Sequence, residues 1–525
     1  MDYSKMTLKE KVLQTFIVTI REINKHGGPE VFFQKYPVGG MYYANGDILL
    51  DSVDMKQRAK EEEIETGLHL SREKLLKCRE CSKLPLLICS DNLQLENQVE
   101  STMGSGSILA SQKDEDSYDY GKIWGMQMNE HEVDWLLGPC VDMTTVRPKP
   151  LGTNAENKEV LVQAFGKMVD GIHDQGVIAT LKHFPGAGAG YVNAHYAPTE
   201  NILSYEDWMN SYGYVYKELF KKGAMCVMTT HMTLRSYDDE NHDGFLPIAT
   251  YSEKITTDLL KKELGFQGAV VTDALVMAGM ATGDLIKETA QAFKAGADLL
   301  LWTPVEAADE IVRQLESGEI PMERLDDALT RIEKLRKFRE KALADKSFDK
   351  PDADFADTTL RRIKKNGIQL LRNDMDLLPI KENVEKILIV DVSNGDDSAE
   401  LLKEELIRRG KKAEIRTDVY DVEANVTWQD DVDEIQAQYD MIIFNVTAPY
   451  EASYLHCAPF MRIWASHLFS KEKKVIINYG SKFMASDFFP EDPTFIQVNT
   501  TPNKSTIKSI VEGLLGDFEF TGKTF

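Results

Sequence analysis

The chain has 525 residues, 42% of them hydrophobic, which is enough for a sizeable core and too long for one typical domain. Its formal net charge of -24 at pH 7 argues against a surface that neutralises phosphates, so we expect no nucleic-acid partner. The N-terminus MDYSKMTLKEKVLQTF lacks the apolar run of a leader, and no later run approaches the roughly 20 apolar residues of a membrane span. We therefore expect a cytoplasmic protein that binds no membrane.

The six cysteines are scattered along the chain. Cys89, Cys140 and Cys226 fall in apolar, strand-like runs, where a reduced cysteine behaves as a small hydrophobe. Cys78 and Cys81 form a CxxC, but a structural zinc site needs a second pair of ligands and the flanking LSREKLLKCREC offers none. The cysteines thus predict no metal site.

Short apolar runs that end in polar or glycine residues recur along the N-terminal part of the chain: VGGMYY, LPLLICSD, DWLLGPCVDM, GVIATLKHF, GAMCVMTTHM, GAVVTDAL and ADLLLWT. They are typical of buried parallel strands. Between them lie amphipathic stretches of helical period, such as SEKITTDLLKKELG, that close on a glycine. This alternation predicts a (β/α)8-type TIM barrel, although a doubly wound open sheet would give a similar pattern.

The positions of the reactive residue types favour the barrel. They stand at the C-terminal ends of predicted strands, which converge on one mouth in a barrel. These residues are Asp91, Asp142, Lys182, His183, His231 and Asp273.

A second strand-helix series follows a polar, proline-containing stretch, KSFDKPDADFAD. Its apolar runs are KILIVDVSNG, AEIRTDV, DMIIFNVTA, KKVIINYG and TFIQVNTT. We predict a barrel over residues 1–345, a linker over 346–365, and a smaller α/β sandwich domain with a mostly parallel sheet over 366–525. The VSNG turn lacks the spacing of a nucleotide-binding loop, so we expect no nucleotide cofactor.

Two segments carry the chemistry. KHFPGAGAGYVNAH, Lys182 to His195, runs from a strand end into a glycine-rich loop that is mobile by composition, and His195 on it could transfer protons near neutral pH. A plain surface-loop histidine is the alternative. In LGFQGAVVTDALVMAGM, Asp273 ends an apolar strand, and by residue type alone it could be a nucleophile, a metal ligand or a helix cap.

The chain resembles the family 3 glycoside hydrolases, and specifically their bacterial β-N-acetylglucosaminidase branch, with its KHFPGxGxxxxDSH loop and SDxLxM strand. The matching segments here are Lys182 to His195 and Thr272 to Met277, TDALVM. Further matches occur in order along nearly the whole chain, among them KYPVGGMYY, LPLLICSD, VMTTHM, AFKAGADLLLW and the terminal VEGLLGDFEFTGKTF.

The resemblance implies a retaining enzyme in which Asp273 attacks the anomeric carbon of a terminal β-linked N-acetylglucosamine or related β-hexosaminide. It implies that His195 is the acid/base. Asp91, Lys182 and His183 match positions that bind sugar hydroxyls. With Asn193 and His231 they complete the predicted site. A carboxylate and an imidazole suffice for this chemistry, so we expect neither a metal nor an organic cofactor.

The sequence departs from the family pattern in the site itself. Asn193 stands where the family loop has an aspartate, and a neutral amide can orient an imidazole but cannot stabilise its cationic form. Where the family has a DxEGG turn, this chain reads DNLQLENQV, and where the family has GHGDT it reads GAGAG. The family also has an arginine in its third loop, which the matching stretch PLGTNAENKEV lacks, and only Arg147 lies nearby in the sequence. These changes indicate altered sugar recognition.

Three functions therefore stay open. The first is the β-N-acetylglucosaminidase activity. The second is a family 3 enzyme of altered specificity, acting on another β-glycoside or transferring the sugar to phosphate. The third is a sugar-binding protein with weakened catalysis. In each case the partner is a small carbohydrate, and the sequence sets no oligomeric state.

Overall fold

The computed structural model describes residues 3–43, 72–91, 93–100, 104–144, 156–190, 192, 194, 197–240, 246–280, 283–345, 348–393, 395–416, 429–447 and 466–525. The chain forms two compact units. The first contains Met1–Gln98, Ser117–Thr145 and Phe165–Ala353, and the second contains Val99–Asp116, Val146–Ala164 and Asp354–Phe525.

The described residues of the first unit form these strands: β1 Phe16–Thr19, β2 Gly40–Tyr42, β3 Leu87–Ser90, β4 Trp135–Leu136, β5 Ile178–Phe184, β6 Thr199–Glu200, β7 Cys226–Thr229, β8 Met232–Thr233, β9 Ala269–Thr272 and β10 Leu300–Leu301. Eight of them form one parallel sheet in the order β10-β1-β2-β3-β4-β5-β7-β9. A parallel bridge between Val271 and Leu299 joins its two edges. The sheet is the predicted TIM-type barrel, and β6 pairs with β8 separately.

The helices, in chain order, are α1 Leu8–Leu13, α2 Ile20–Lys25, α3 Pro29–Lys35, α4 72–81, α5 Gly106–Ser111, α6 Asp114–Glu130, α7 Lys158–Asp174, α8 Tyr205–Trp208, α9 Tyr214–Lys221, α10 Leu285–Ala295, α11 Ala307–Ser317, α12 Met322–Asp345, α13 Ala353–Asn366, α14 Ser398–Arg408, α15 Gln429–Gln436, α16 Met484–Asp487 and α17 Lys504–Leu514. Met209–Gly213 and Lys254–Glu263 are π-helical, and Tyr3–Lys5 and Ala187–Ala189 are 3₁₀ turns.

The barrel interior is filled by alternate residues of its strands, because successive side chains of a strand point to opposite faces. These inward residues include Leu87, Cys89, Trp135, Ile178, Cys226, Met228, Ala269 and Val271. Ile332 and Leu335 of α12 pack against the same cluster. The interior is thus a packed core whose strand ends carry the polar groups.

Buried ion pairs support the strands at the opposite end from those polar groups. Asp134, just before β4, accepts a bond from Arg339 Nε at 3.0 Å and from Arg79 Nη2 at 2.7 Å. Its carboxylate also accepts the Ile88 amide at 3.0 Å. Only 3% of the Asp134 side chain and 6% of the Arg339 side chain are exposed, so neither charge has water as an alternative partner.

The second unit contains a six-stranded sheet in the order β11-β16-β15-β14-β12-β13. Its strands are β11 Gln369–Asn373, β12 Lys386–Val392, β13 Lys412–Arg416, β14 Met441–Val446, β15 Lys474–Asn478 and β16 Thr494–Gln497. β11 is antiparallel to β16 and the other pairs are parallel. Ile387 and Ile389 face one core with α14 and α17, while Leu388 and Val390 face another, so both faces are covered as in the predicted α/β sandwich.

The predicted linker over 346–365 is largely helical. Helix α13 begins at Ala353, because Ala356, Leu360 and Ile363 recur at helical spacing and are buried. The bounds at 345 and 366 remain predictions. In the described ranges, no helix is both long and apolar enough to cross a membrane. The cytoplasmic location also remains a prediction.

Candidate active site

Strand periodicity brings the candidate residues to one end of the barrel. Asp91 continues the inward-facing series of Leu87 and Cys89 just past β3, and Asp273 continues that of Ala269 and Val271 just past β9. Lys182 continues the series of Ile178 within β5 in the same way. The pairing of β5 with β7 shifts register between Leu181 and Phe184, the interval that holds Lys182 and His183. Predicted strand-end residues therefore meet at the C-terminal mouth.

Lys182 and Asp91 form a direct ion pair across this mouth. The Lys182 ammonium donates to Oδ1 of Asp91 at 2.6 Å, and the Tyr42 hydroxyl at the end of β2 donates to Oδ2 at 3.0 Å. Burial opposes the charge of Lys182, but the Asp91 carboxylate outweighs it and raises the pKa of the ammonium. Burial and the same carboxylate raise the pKa of Tyr42, so its hydroxyl remains a donor.

His183 is held by a different carboxylate, that of the buried Asp142. The Nδ1 atom of His183 lies 2.8 Å from Oδ2 of Asp142. The other carboxylate oxygen of Asp142, Oδ1, accepts a hydrogen bond from the Ala187 amide at 2.8 Å. Burial opposes the charged imidazole, but hydrogen bonds with Asp142 and Cys140 raise the pKa of His183 to about 10. His183 is therefore a cation at neutral pH, and its side chain is 17% exposed.

Of the carboxylates of Asp91, Asp142 and Asp273, only that of Asp273 forms no ion pair within the described residues. Its Oδ1 accepts the Ala274 amide at 2.8 Å, and the Thr230 hydroxyl lies 3.4 Å from Oδ2. Burial raises the pKa of the carboxyl, but the positive charges of His183, His231 and Lys182, with the Ala274 amide, outweigh that effect and lower it. Asp273 is thus an ionised, partly exposed carboxylate surrounded by cations.

His231 lies behind this carboxylate rather than in the mouth. It is fully buried, with Nδ1 2.9 Å from the Thr250 hydroxyl and Nε2 3.0 Å from the Ala274 carbonyl. The predicted contact between His231 and substrate does not fit this position, because both ring nitrogens already bond protein groups. Its contact with Ala274 instead fixes the backbone next to Asp273.

Two predicted site residues, His195 and Asn193, lie outside the described residues, as does Arg147. The loop before them is described as far as Gly190, and it is closely packed there. A Cβ on Gly188 would lie 1.8 Å from the Met143 carbonyl, and one on Gly186 would lie 2.4 Å from the Tyr212 ring. In this part of the loop the glycines permit close packing, and the mobility that the composition indicates stays a prediction.

The sequence analysis missed several residues of the site. Tyr42 binds Asp91 directly, yet it stands in an apolar run that is typical of core. Asp142 was predicted at a strand end but given no role, and it binds His183. Cys140, predicted to be a small hydrophobe, is half-buried, with its thiol 3.3 Å from the Asp142 carboxylate. Trp302, just past β10, lies against Tyr42 with ring centroids 5.2 Å apart and adds an aromatic surface to this end of the barrel.

The arrangement can perform nucleophilic and acid-base chemistry on a polar ligand, since it combines a carboxylate nucleophile with charged donors. Two groups among the described residues could also hold a metal ion. They are Cys140, Asp142 and His183 at the mouth, and Glu22, His26 and Glu306 elsewhere on the barrel.

Known proteins are similar to this chain in sequence and in fold. Residues 7–335 match the Glycosyl hydrolase family 3 N terminal domain. A β-N-acetylglucosaminidase/β-glucosidase of Cellulomonas fimi is 31% identical over 348 residues, which are 59% of this chain and 59% of that protein. Beta-hexosaminidase A of Pseudoalteromonas piscicida is 26% identical over 338 residues, covering 57% of this chain and 56% of the relative. The matches thus span less than two thirds of these relatives.

Solved structures resemble the chain over almost its whole length. The β-glucoside phosphorylase BglX, bound to 2FGlc, has a TM-score of 0.78 at 20% identity, covering 99% of this chain and 94% of that one. A family 3 β-N-acetylglucosaminidase from Paenibacillus sp. str. FPU-7 has a TM-score of 0.74 at 22% identity, covering 99% and 98%. At these identities the likeness concerns the fold, and the sequence match over residues 7–335 gives the family. The chain belongs to glycosyl hydrolase family 3.

Proposed function

We propose that this chain is a retaining, exo-acting glycoside hydrolase that removes terminal β-linked N-acetylglucosamine or a related β-hexosaminide, with Asp273 as its nucleophile. The environment of the three carboxylates at the mouth carries the proposal. Asp91 is occupied by Lys182 and Asp142 by His183, whereas Oδ2 of Asp273 has, among the described residues, only a long contact with Thr230. Asp273 is also ionised, as a nucleophile must be.

In the first step, Oδ2 of Asp273 attacks the anomeric carbon as the bond to the leaving-group oxygen breaks. A proton from His195, assigned by the family resemblance, neutralises that oxygen. The product is a glycosyl ester of Asp273. In the second step, water attacks the same carbon, loses a proton to His195 and frees Asp273, so the β configuration is retained.

The charged groups around Asp273 serve recognition and transition-state stabilisation. Lys182 is a donor and Asp91 an acceptor for hydroxyls of the sugar, and their ion pair fixes the orientation of both. His183 presents a cationic ring held by Asp142. Hydrogen bonds of this kind strengthen as the sugar ring acquires oxocarbenium character.

The substrate class is supported by the names of the relatives. The C. fimi and P. piscicida proteins are a β-N-acetylglucosaminidase/β-glucosidase and a β-hexosaminidase. The motif matches to the β-N-acetylglucosaminidase branch in the Lys182 to His195 loop agree with them. The departures at DNLQLENQV and GAGAG leave the choice among β-glycosides to experiment.

The test is release of p-nitrophenol from the β-N-acetylglucosaminide, β-glucoside and β-xyloside by the wild type and Asp273→Asn. We expect a loss of roughly 10⁴-fold or more in kcat, since removing a catalytic nucleophile leaves only binding contributions. Asp309→Asn, an exposed carboxylate on α11, is the matched control and should retain full activity. A fluorinated glycoside that slows the second step should add one sugar mass to the peptide containing Asp273. Unchanged turnover by Asp273→Asn would refute the assignment.

A second candidate is transfer of the glycosyl group to phosphate. Asn193 replaces the aspartate of the family loop, and a neutral amide repels an incoming anion less than a carboxylate does. One structure of similar fold is a β-glucoside phosphorylase. The test compares products with and without phosphate. A sugar 1-phosphate formed at the expense of free sugar would establish phosphorolysis.

The third candidate, a sugar-binding protein with weakened catalysis, has its own signature. A sugar that binds only the native state raises the melting temperature, even if no glycoside is cleaved. Thermal stabilisation by N-acetylglucosamine without turnover of any substrate at high protein concentration would favour this function over both enzymatic ones.

A further inference from the structure

Three side chains that are common metal ligands meet at the barrel mouth. Sγ of Cys140 lies 3.3 Å from Oδ2 of Asp142 and 4.0 Å from Nδ1 of His183, and that Nδ1 is 2.8 Å from the same oxygen. A tetrahedral zinc ion, with ligand bonds of about 2.0–2.3 Å, separates its ligands by roughly 3.4–3.6 Å. The observed separations lie on both sides of these values, so small side-chain rotations create the coordination geometry.

The backbone holds the three ligands in place before any cation arrives. Cys140 and Asp142 are two residues apart in an extended segment, where Cys140 is bridged to Lys182 and the Val141 amide bonds the Lys182 carbonyl at 2.7 Å. Oδ1 of Asp142 accepts the Ala187 amide, which turns Oδ2 toward Cys140 and His183. Little conformational entropy is therefore lost on binding.

The ligand types select the kind of cation. A thiolate, a carboxylate and a neutral imidazole give two negative charges, which match a divalent ion. The soft sulfur favours Zn²⁺ or Cd²⁺ over Mg²⁺ or Ca²⁺, which prefer oxygen ligands. Lys182, whose backbone is bridged to Cys140, has its ammonium paired with Asp91. Cys140 and His183 are both partly exposed, so a fourth position can be filled by water from the mouth.

We propose that Cys140, Asp142 and His183 form an inhibitory site for a thiophilic divalent cation. Binding releases the thiol proton and the Nδ1 proton to solvent and forms bonds from the cation to Sγ, Oδ2 and Nδ1. The cation replaces the Asp142–His183 hydrogen bond and turns the imidazole away from the position in which it would bind the sugar. The inhibitory effect rests on the proposed glycosidase function, whereas binding itself does not.

The other candidate group in the described part of the chain does not offer the same chemistry. Glu22, His26 and Glu306 contain no sulfur, and the Lys25 ammonium already lies 3.2 Å from Glu306 and 3.7 Å from Glu22. An incoming cation would have to displace that lysine. The mouth cluster is therefore the site for a thiophilic ion.

Cadmium titration of the purified protein tests binding without any enzyme assay, because a thiolate bound to Cd²⁺ absorbs in the ultraviolet. We expect the wild type to show this absorption with one equivalent of Cd²⁺ and Zn²⁺ to compete it away. Cys140→Val and Cys140→Ser should both abolish it, because neither side chain supplies a thiolate. Cys81→Ser, which disrupts the CxxC, is the control and should behave as wild type.

Inhibition is measured separately, relative to the metal-free rate of each variant. Zn²⁺ should inhibit the wild type and Cys81→Ser reversibly, with recovery in a chelator, and should not inhibit Cys140→Val. Absorption that persists in both Cys140 variants, or no absorption in the wild type, would overturn the site. If no glycoside is turned over, the proposed function fails while the cadmium titration still decides the metal site. Binding without inhibition would overturn the inhibitory role alone.

Discussion

The Lys182 ammonium lies 2.6 Å from Oδ1 of Asp91, although the two residues are 91 positions apart in the chain. Each belongs to a different barrel strand end, and Tyr42 from a third strand bonds the other carboxylate oxygen. The pair keeps a cation and an anion in fixed positions at the mouth. Its loss should therefore affect ligand binding more than folding.

Asp91→Asn should lower kcat/KM for the preferred glycoside by roughly 10–100-fold. The change replaces the carboxylate partner of Lys182 with a neutral amide, which weakens a hydrogen bond of the charged class that contributes about 1.5–3 kcal/mol. It also removes an anionic acceptor for a sugar hydroxyl. Steady-state kinetics measures this loss, which should come mainly from a higher KM. Tyr42→Phe is the control because it removes only the weaker 3.0 Å contact. An equal loss in Tyr42→Phe would contradict the role of the ion pair.

The charge on His183 should make stability depend on pH in a defined direction. The pKa of His183 is raised from 6.5 to about 10 in the folded protein, despite the opposing effect of burial. A raised folded-state pKa gives stabilisation that is complete below pH 6.5 and is lost as the pH rises through about 10. At pH 6.5 the free energy of unfolding of the wild type should exceed that of His183→Gln by at most about 3–5 kcal/mol.

Chemical denaturation at pH 6.5 and pH 10 measures this difference, which should shrink at the higher pH. Asp142 and Cys140 both face the imidazole, so the comparison is repeated in a Cys140→Ser background. Asp142→Asn should be destabilised most at low pH too, because it removes the partner of the cation. A difference that grows with pH would mean that His183 is neutral in the folded state.

Gly188→Ala should destabilise the protein by about 1–3 kcal/mol, as overpacking of a filled site does. The added Cβ would lie 1.8 Å from the Met143 carbonyl, so the Pro185–Gly190 segment must move. That segment donates the Ala187 amide to Asp142, so its movement should also lower kcat/KM. Gly104→Ala, with open space around its Cβ, should change stability by less than about 0.5 kcal/mol. Equal stabilities of the two variants, measured by chemical denaturation, would contradict the packing argument.

Asp134→Asn should destabilise the barrel by about 3–5 kcal/mol without changing KM. It leaves the buried Arg339 guanidinium without its carboxylate at the end of the barrel away from the mouth. Asp309→Asn breaks the exposed pair with Lys9 and should cost less than about 1 kcal/mol. Urea unfolding compares the two variants. A rise in KM for Asp134→Asn would show that this end of the barrel communicates with the mouth.

The sequence alone was sufficient to predict the barrel and several residues at its mouth. Barrel strands are buried on both faces, so each reads as an apolar run, and a polar residue is tolerated where the run reaches solvent. Asp91 after LPLLICS and Asp273 after GAVVT are such residues, and both lie at the mouth. The ordered motif matches along the chain also predicted the family that the match over residues 7–335 confirms.

Tertiary structure decided which residues meet. Asp91 pairs with Lys182, and Asp142 with His183, because strand order and register bring these ends together. No local pattern distinguishes Tyr42, which binds Asp91, from the core residues of the same apolar run.

Tertiary contacts also give three residues surroundings that their residue types do not predict. His231 has the chemistry of a site residue, yet bonds to Thr250 and Ala274 bury it behind Asp273. Cys140 stands in an apolar run that is typical of core, yet its thiol lies beside Asp142 at the mouth. Gly188 stands in a glycine-rich loop, and only the structure shows that the Met143 carbonyl occupies the space of its missing side chain. The sequence determined which strands end in polar residues such as Asp91 and Asp273, because strand burial is a local pattern. Only the fold decided their partners, because those contacts join residues far apart in the chain.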